Sequence, residues 1–546
     1  MRLQEIALSR KSNLFDMYLH QPDFVHSFYA YNPWQEESVQ KRARYLSQTG
    51  QAIKRTFLVE ALRSFHRPEL MHPEVERNLG RLEEDGSMVV IGGQQAGLLG
   101  GPLYTFYKAI TIIRLARQAE EQLGRPVIPV FWIAGEDHDV EEVDHVWVQT
   151  GGGEPFKHRL VVEEQRKIPV SGRIIDRDVY GRWLDELAQI MPDRENKQTW
   201  LIQCKKWGES SLSWTRLFAR VLHHFFGKYG LLLVDSNDEN LRRIEIPFFN
   251  ELICKSESIA QKTELAARQL REWGLDVPVD LKKNQGNLFI QADGERQHLF
   301  RENDDWVTKD RKNRWSENGL LKLVQEDPAR FSNNVLTRPL MQEALFPVLF
   351  FVGGSGEIAY WSLLKEAFLE MNLQMPIIIP RMRVTVIDSR QEKRINEFFL
   401  NWRELDSPLR KKKEMWLDLQ MPPDLTRVFD EAGKQMARAH RQLVNYLDQE
   451  IGMNMKEIGE KNRTKIMAQI NYYHHFARRS LEEKHRASLQ KWDQLINFVQ
   501  PNDKPQERVY NMVWLWNEHG MEWIDFLINQ PNLPIKGYGL PYILSI

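Results

Sequence analysis

Apolar positions along this chain follow two regimes. Up to about residue 390 they gather in short unbroken runs, and beyond that they recur at helical spacing. The runs Met88–Ile91, Val127–Ala134, Leu231–Val234, Leu345–Val352 and Pro376–Pro380 have no polar alternation, as in strands buried on both faces of a parallel sheet. Arg383–Ile387 reads as a short strand after them. Between the first two runs, Ala109, Ile110, Ile113 and Ala116 step by three and four, which predicts a helix and a β-α-β unit. Trp214, Leu217, Phe218, Val221, Leu222 and Phe225 predict another helix before the third run. The first 80 residues read as helices rich in aromatics, with Phe24, Phe28, Tyr29 and Tyr31 expected to cover the sheet or a ligand cleft.

The interruptions suggest a core in three pieces. Residues 1–150 would form its first part, 206–246 its continuation and 336–395 its end. Residues 151–205, charged and with short strands, form one insertion. Residues 247–335 form a second, where Asp293-Gly294 between Asn287–Gln291 and Gln297–Phe300 signals a type I′ hairpin. In 396–500, Leu425, Phe429, Ala432, Met436, Ala439, Leu443 and Tyr446 alternate steps of four and three, the a and d pattern of a coiled coil. Ile466, Ile470, Tyr473 and Ala477 restart it after Gly459–Arg463, taken as the reversal of an antiparallel hairpin. Such an arm leaves an outer apolar stripe and is expected to dimerise. Residues 501–546 form a C-terminal segment.

Composition narrows the function. The 546 residues carry 74 Lys and Arg against 75 Asp and Glu, a net charge of −1, which gives no electrostatic case for nucleic acid or an anionic membrane. Two cysteines, Cys204 and Cys254, make neither a disulfide framework nor a thiolate zinc site. No apolar run is long enough to span a bilayer, and the start lacks a secretory core, so a cytoplasmic protein is expected.

Candidate chemistry lies at two strand ends. After Met88–Ile91 comes Gly92-Gly93-Gln94-Gln95-Ala96-Gly97-Leu98-Leu99-Gly100-Gly101-Pro102, five glycines in ten residues ahead of a helix. Strand, glycine turn and helix bring backbone N–H groups to an anion, which makes Gly97, Gly100 and Gly101 candidate donors. The spacing matches neither GxGxxG nor the P-loop. After Val127–Ala134 comes Gly135-Glu136-Asp137-His138-Asp139, expected beside that turn. Crowding of Glu136, Asp137 and Asp139 should raise at least one carboxyl pKa, with His138 a natural proton acceptor. His138, Glu142 and His145 at i, i+4 and i+7 would share a helical face, a minor metal-site reading; no metal is expected. A second glycine turn supplies Ser355 and Glu357, and Arg338, Arg381 and Arg383 lie near core strands as candidate carboxylate or phosphate ligands.

The strings Ile91–Thr105, Trp132–Asp139, Phe351–Trp361 and Pro505–Asn511 closely resemble those of the BshC family of bacillithiol biosynthesis, and the likeness spans nearly the whole chain. The resemblance implies an α/β fold with a Rossmann-like parallel sheet core, two connecting-peptide insertions and a dimerising C-terminal antiparallel α-helical coiled coil. It implies a ligase that adds L-cysteine to the amine of glucosaminyl-malate, giving bacillithiol, a low-molecular-weight thiol. The core also resembles class I aminoacyl-tRNA synthetases distantly: Leu99-Gly100-Gly101-Pro102 stands at their HxGH signature without its histidines, and no KMSKS run occurs. ATP or ADP is the candidate cofactor. On this reading Asp137 or His138 takes the amine's proton, with Glu136 and Gln95 in the same catalytic group. Gln94, Gln95, Tyr104 and the Gly97–Gly101 amides bind substrate oxygens, with Asp139, Ser355 and Glu357 beside them. Arg338, Arg381, Arg383 and Arg508 hold carboxylates or a nucleotide. Two alternatives stay open: a synthetase-class aminoacyl- or nucleotidyl-transferring enzyme acting on another amine, and a coiled-coil scaffold with a degenerate nucleotide pocket.

Overall fold

Met88–Gln94 (β1) is buried almost throughout and pairs in parallel with Val127–Ile133 (β2), the two joined by the helix Leu103–Leu123 (α1). Leu232–Asp235 (β3) continues the sheet beyond β2. On the other side of β1 come Val348–Gly353 (β4) and Ile377–Pro380 (β5). The order β5-β4-β1-β2-β3 reverses direction between β1 and β4, and ligands in open parallel sheets bind at the carboxyl edge of that switch. In this computed structural model the described residues are 1–6, 13–49, 53–161, 166–209, 212–282, 284–420, 422, 424–452, 454–531 and 533–546. They divide into two compact units, Met1–Asp388 with Lys504–Ile546, and Ser389–Asp503. No described helix is long and apolar enough to cross a membrane.

Several elements depart from the sequence reading, each for a local reason. Leu345 closes the helix Arg338–Leu345, and the strand starts only at Val348, because Pro347 has no N–H to continue a helix. Arg383–Ile387 lies outside the core sheet: it pairs with Pro541–Ser545, which pairs in turn with Arg2–Glu5, so the N-terminus opens on a strand instead of a helix. Past the hairpin His145–Gln149/Pro155–Arg159, the charged stretch is helical over Arg177–Ile190 and Lys197–Trp207. Tyr180, Trp183, Leu184, Leu187 and Ala188 form a buried face there that the surrounding charges mask. The helix Glu239–Cys254 runs unbroken across position 247, and its buried face includes Leu241, Phe248, Phe249 and Leu252.

The hairpin signal at Asp293-Gly294 holds. Both residues have positive φ (52° and 76°), and they join Gln285–Ala292 to Glu295–Glu302 in an antiparallel sheet of five strands. Of the N-terminal aromatics, Phe24, Phe28 and Tyr29 are buried, with the Tyr29 hydroxyl donating to the Ile358 carbonyl at 2.8 Å.

In the second unit, Leu425–Glu450 and Met455–Lys484 form the expected helical hairpin, but its seam is not the expected stripe. The first helix ends at Glu450 and the second starts at Met455, and between them Gly452 and Asn454 have positive φ. Gly459 sits inside the second helix, where an added Cβ would lie 2.5 Å from Val444 Cγ2. The helices close on Gly433, Gly459 and His440, whose Nε2 lies 2.9 Å from Asn462 Oδ1. Met436, Leu443 and Tyr446 of the expected seam are 43%, 54% and 62% exposed. Hydropathy marks large apolar residues, whereas this close approach is made by small ones.

Candidate active site

The ends of β1 and β2 lie side by side, with Gln94 in register with Ile133. The chain leaving β1 supplies Gly93, Gln94 and Gln95 to a cavity of about 940 Å³, and the chain leaving β2 supplies Glu136, Asp137 and His138. Gly354–Glu357, after β4, close another side. The inserted antiparallel sheet adds Gln285, Asn287, Phe289, Arg296 and His298. Of the residues expected from sequence, Gln94, Gln95, Tyr104, Glu136, Asp137, His138, Ser355, Glu357, Arg338, Arg381 and Arg508 all line this one cavity.

Gly97, Gly100, Gly101, Asp139 and Arg383 do not line it. The glycine turn is sealed from inside. Gly97 N–H donates to Gln95 O, Leu98 N–H to Val143 O, Gly101 N–H to Leu98 O, and Leu103 N–H, at the start of α1, to Tyr510 O. The Asn511 side-chain amide takes up the Leu98 and Gly101 carbonyls at 2.9 and 2.8 Å. The glycines serve packing: an added Cβ at Gly97 would lie 2.7 Å from Gly101 Cα, and one at Gly93 2.7 Å from the Trp132 carbonyl. Gly101, at φ 73° and ψ −164°, occupies backbone space open essentially to glycine alone. None of the three expected donor glycines reaches the wall, so the backbone anion cradle expected here is not presented to this cavity. The side chains of Arg338, Arg381 and Arg508 are the groups on the wall suited to an anion.

Nor do the acids simply crowd one another. Glu136 is buried, and its Oε2 accepts from Arg242 Nη2 at 2.5 Å and from Asn333 N–H at 3.2 Å; Arg242 also holds the buried Glu245 at 2.5 Å. Burial pushes Asp137 up, but Arg296, the Gln95 amide and the His138 N–H outweigh it and hold this carboxyl below the usual range. Gln95 Nε2 donates to Asp137 Oδ2 at 2.9 Å. The carboxyl that rises is Glu142, raised by burial and by Asp139 and Asp137, with Gln95 opposing. Arginines interleaved with the acids explain why the expected rise misses Asp137.

Lys108 on α1 is buried behind the wall, where it donates to Gly93 O and Glu357 Oε2, each at 2.5 Å. Arg381 donates to Glu507 Oε1 at 2.8 Å, Arg508 to Ser355 Oγ at 2.8 Å, and Arg338 to the Tyr360 hydroxyl. Tyr104 lies under Arg381, its ring centroid 5.2 Å from the guanidinium carbon, and accepts from Gln94 at 3.3 Å. Sequence reasoning missed Lys108, Arg242 and Arg296. Arg296 alone left a signal, an arginine two positions before His298 on one strand and so on the same face.

The residues His138, Glu142 and His145 do not share a helical face: Val140–Glu142 is one 3₁₀ turn and His145 opens a strand, bonded to Asp144 at 3.1 Å. Among the described residues no three His, Cys, Asp or Glu side chains are placed to hold a metal ion.

Residues 1–382 match the family described as "Bacillithiol biosynthesis BshC, N-terminal Rossmann-like domain", and residues 384–537 match "Bacillithiol biosynthesis BshC, C-terminal coiled-coil domain". Among curated relatives, a protein of Bacillus licheniformis is 33% identical over the full length of both chains. One from Lysinibacillus sphaericus is 34% identical over 97% of this chain and 98% of its own, and one from Bacillus cytotoxicus is 35% identical over 87% and 88%. All three bear the name "Putative cysteine ligase BshC".

Proposed function

This chain belongs to the BshC family of bacillithiol biosynthesis, and from that premise we propose that it joins L-cysteine to the amine of glucosaminyl-malate in the last step of the pathway. The observation that carries the reading is convergence: one cavity brings together arginines suited to carboxylates and an acid group suited to an ammonium. Its volume, about 940 Å³, suits an amino acid beside a sugar bearing a dicarboxylate. A scaffold with a degenerate pocket requires no such convergence.

Forming the amide makes a C–N bond, removes two protons from the sugar's ammonium nitrogen, one before attack and one after it, and expels an oxygen of the cysteine carboxyl on a leaving group. ATP or ADP, the proposed cofactor, would supply that leaving group. Arg381 and Arg508, the latter oriented by Ser355, hold the malate carboxylates, with Arg338 beside them. Gln94 and Tyr104 orient the sugar. Glu142, the raised carboxyl, takes the amine's proton, and Asp137, tied to Gln95, keeps the ammonium in place before attack. Because the glycine turn is sealed, side chains and not backbone amides meet the developing oxyanion.

The exposed stripe of Met436, Leu443 and Tyr446 supports a homodimer through the helical hairpin. Mass spectrometry of cells lacking this protein tests the function. The thiol should vanish, the malate-linked sugar amine should accumulate, and restoring the chain should reverse both. An undisturbed thiol pool and precursor level would count against the assignment. ATP–pyrophosphate exchange that ignores L-cysteine would favour a synthetase acting on another amine.

A further inference from the structure

Two tasks are open to His138 in such a site, taking a proton or donating a hydrogen bond, and its surroundings favour the second. We propose that Arg296 is a positioning residue that holds His138 as a neutral imidazole protonated on Nε2, so that His138 donates a hydrogen bond to an oxygen of the acyl donor and does not serve as the base. The identity of that oxygen rests on the ligase reading; the state of the ring does not.

The geometry is direct. Arg296 Nη1 lies 3.1 Å from His138 Nδ1. A guanidinium has donors only, so Nδ1 must accept and the ring's proton must sit on Nε2. Protonating Nδ1 would set two N–H groups against each other. Arg296 is fixed at three further points: Nε donates to Ser332 Oγ at 2.9 Å, Nη2 donates to the Asn333 carbonyl at 2.8 Å, and the guanidinium lies 3.6 Å from the centroid of the Phe289 ring. Its side chain is 5% exposed. These contacts fix the guanidinium that faces Nδ1.

The charges that face His138 come from several elements. Arg296 and His298 stand on the strand Glu295–Glu302 and Lys167 on the loop before Val170, while Asp137 and Asp139 belong to its own loop. Asp137 is the group that could favour an imidazolium, but its Oδ1 lies 3.8 Å from Nδ1 and 3.5 Å from Arg296 Nη1, and it accepts the His138 backbone N–H at 2.8 Å. It acts on the loop and on Arg296 more than on the ring. Burial first, then Arg296, leaves His138 below the ordinary histidine range. Nε2 has no hydrogen-bond partner among the described residues, and the ring lines the cavity. A fixed neutral donor in a partly dry site stabilises developing negative charge without having to reorganise. The core loop thus supplies the histidine, and the inserted sheet sets its state.

Histidine C2 hydrogen–deuterium exchange, read by mass spectrometry on the full chain across pH, tests this directly. In the wild type the exchange midpoint of His138 should fall below the ordinary value of about 6.5. Arg296→Met should raise it towards that value, roughly a tenfold gain in proton affinity, while Arg296→Lys, which keeps a donor, should leave it low. A wild-type midpoint at or above about 6.5 overturns the proposal, as does no movement in a folded Arg296→Met. If that variant does not fold, the wild-type midpoint and the His138 substitutions decide. In cells whose only copy is the variant, His138→Gln keeps an N–H donor but cannot act as a base. It should hold the thiol within about tenfold of wild type, and His138→Ala should lower it by about 10²–10³. Equal loss in both overturns the proposal. Failure of the ligase reading looks different: wild-type chain would not restore the thiol, and the exchange midpoint would be unaffected.

Discussion

Glu507 clamps Arg381: one carboxylate oxygen accepts the guanidinium at 2.8 Å and the other accepts the Val384 N–H at 3.1 Å, both residues being buried. The pair joins the C-terminal segment to a wall of the cavity. Its neighbours in the same string act alike. The Gln506 side-chain amide bonds both the N–H and the carbonyl of Val386, Arg508 reaches Ser355, and Asn511 seals the glycine turn.

Replacing Glu507 by Ala would leave Arg381 charged, buried and without its carboxylate. The expected loss of stability is about 3–5 kcal/mol, read as a lowered urea midpoint. Glu507→Gln, which still accepts from the guanidinium, should lose less. Equal midpoints for wild type and Glu507→Ala would show that the clamp contributes nothing.

Glu142→Gln removes the carboxylate assigned to the amine's proton from an exposed position at the cavity rim. Thiol formation in cells carrying only this variant should fall by a factor on the order of 10²–10⁴, with the thermal midpoint unchanged. Undiminished thiol would transfer the role to another group.

His66 should make the fold acid-sensitive. Its Nδ1–H donates to Leu62 O at 2.8 Å and its Nε2 accepts the Leu233 N–H at 3.0 Å, so the folded state holds it neutral, and burial lowers it to about 4. The unfolded chain, at about 6.5, binds more protons between those values. Stability from this group is therefore complete above about 6.5 and is lost as pH falls towards 4, on the order of 3 kcal/mol in all. Urea titrations should give His66→Gln a shallower decline over that window than wild type. Parallel declines would show that His66 is not the sensor.

Met436→Lys with Leu443→Lys places two charges on the exposed stripe of the hairpin. Analytical ultracentrifugation should show the proposed dimer dissociating, and circular dichroism should show helix content retained, because neither side chain lies in the seam. A dimer that persists would place its interface elsewhere.

The two strand ends were legible because parallel strands buried on both faces must be apolar runs, and such a sheet exposes functional groups mainly where its strands stop. Gln94, Gln95, Asp137 and His138, picked out on that rule, do line the cavity. Gly97, Gly100 and Gly101 were misread. Five glycines signal close approach but do not say whether a ligand or another segment approaches, and here the segment carrying Tyr510 and Asn511 does.

By itself the sequence determined the local elements: the parallel-sheet core, the Asp293-Gly294 hairpin and the two long arm helices, all set by period, apolar runs and turn chemistry within short windows. Only the tertiary structure decided protonation and accessibility. Arg296 reaches His138 across 158 positions and Glu507 reaches Arg381 across 126. Charge, burial and hydrogen bonding depend on which distant groups meet, and no spacing along the chain encodes that.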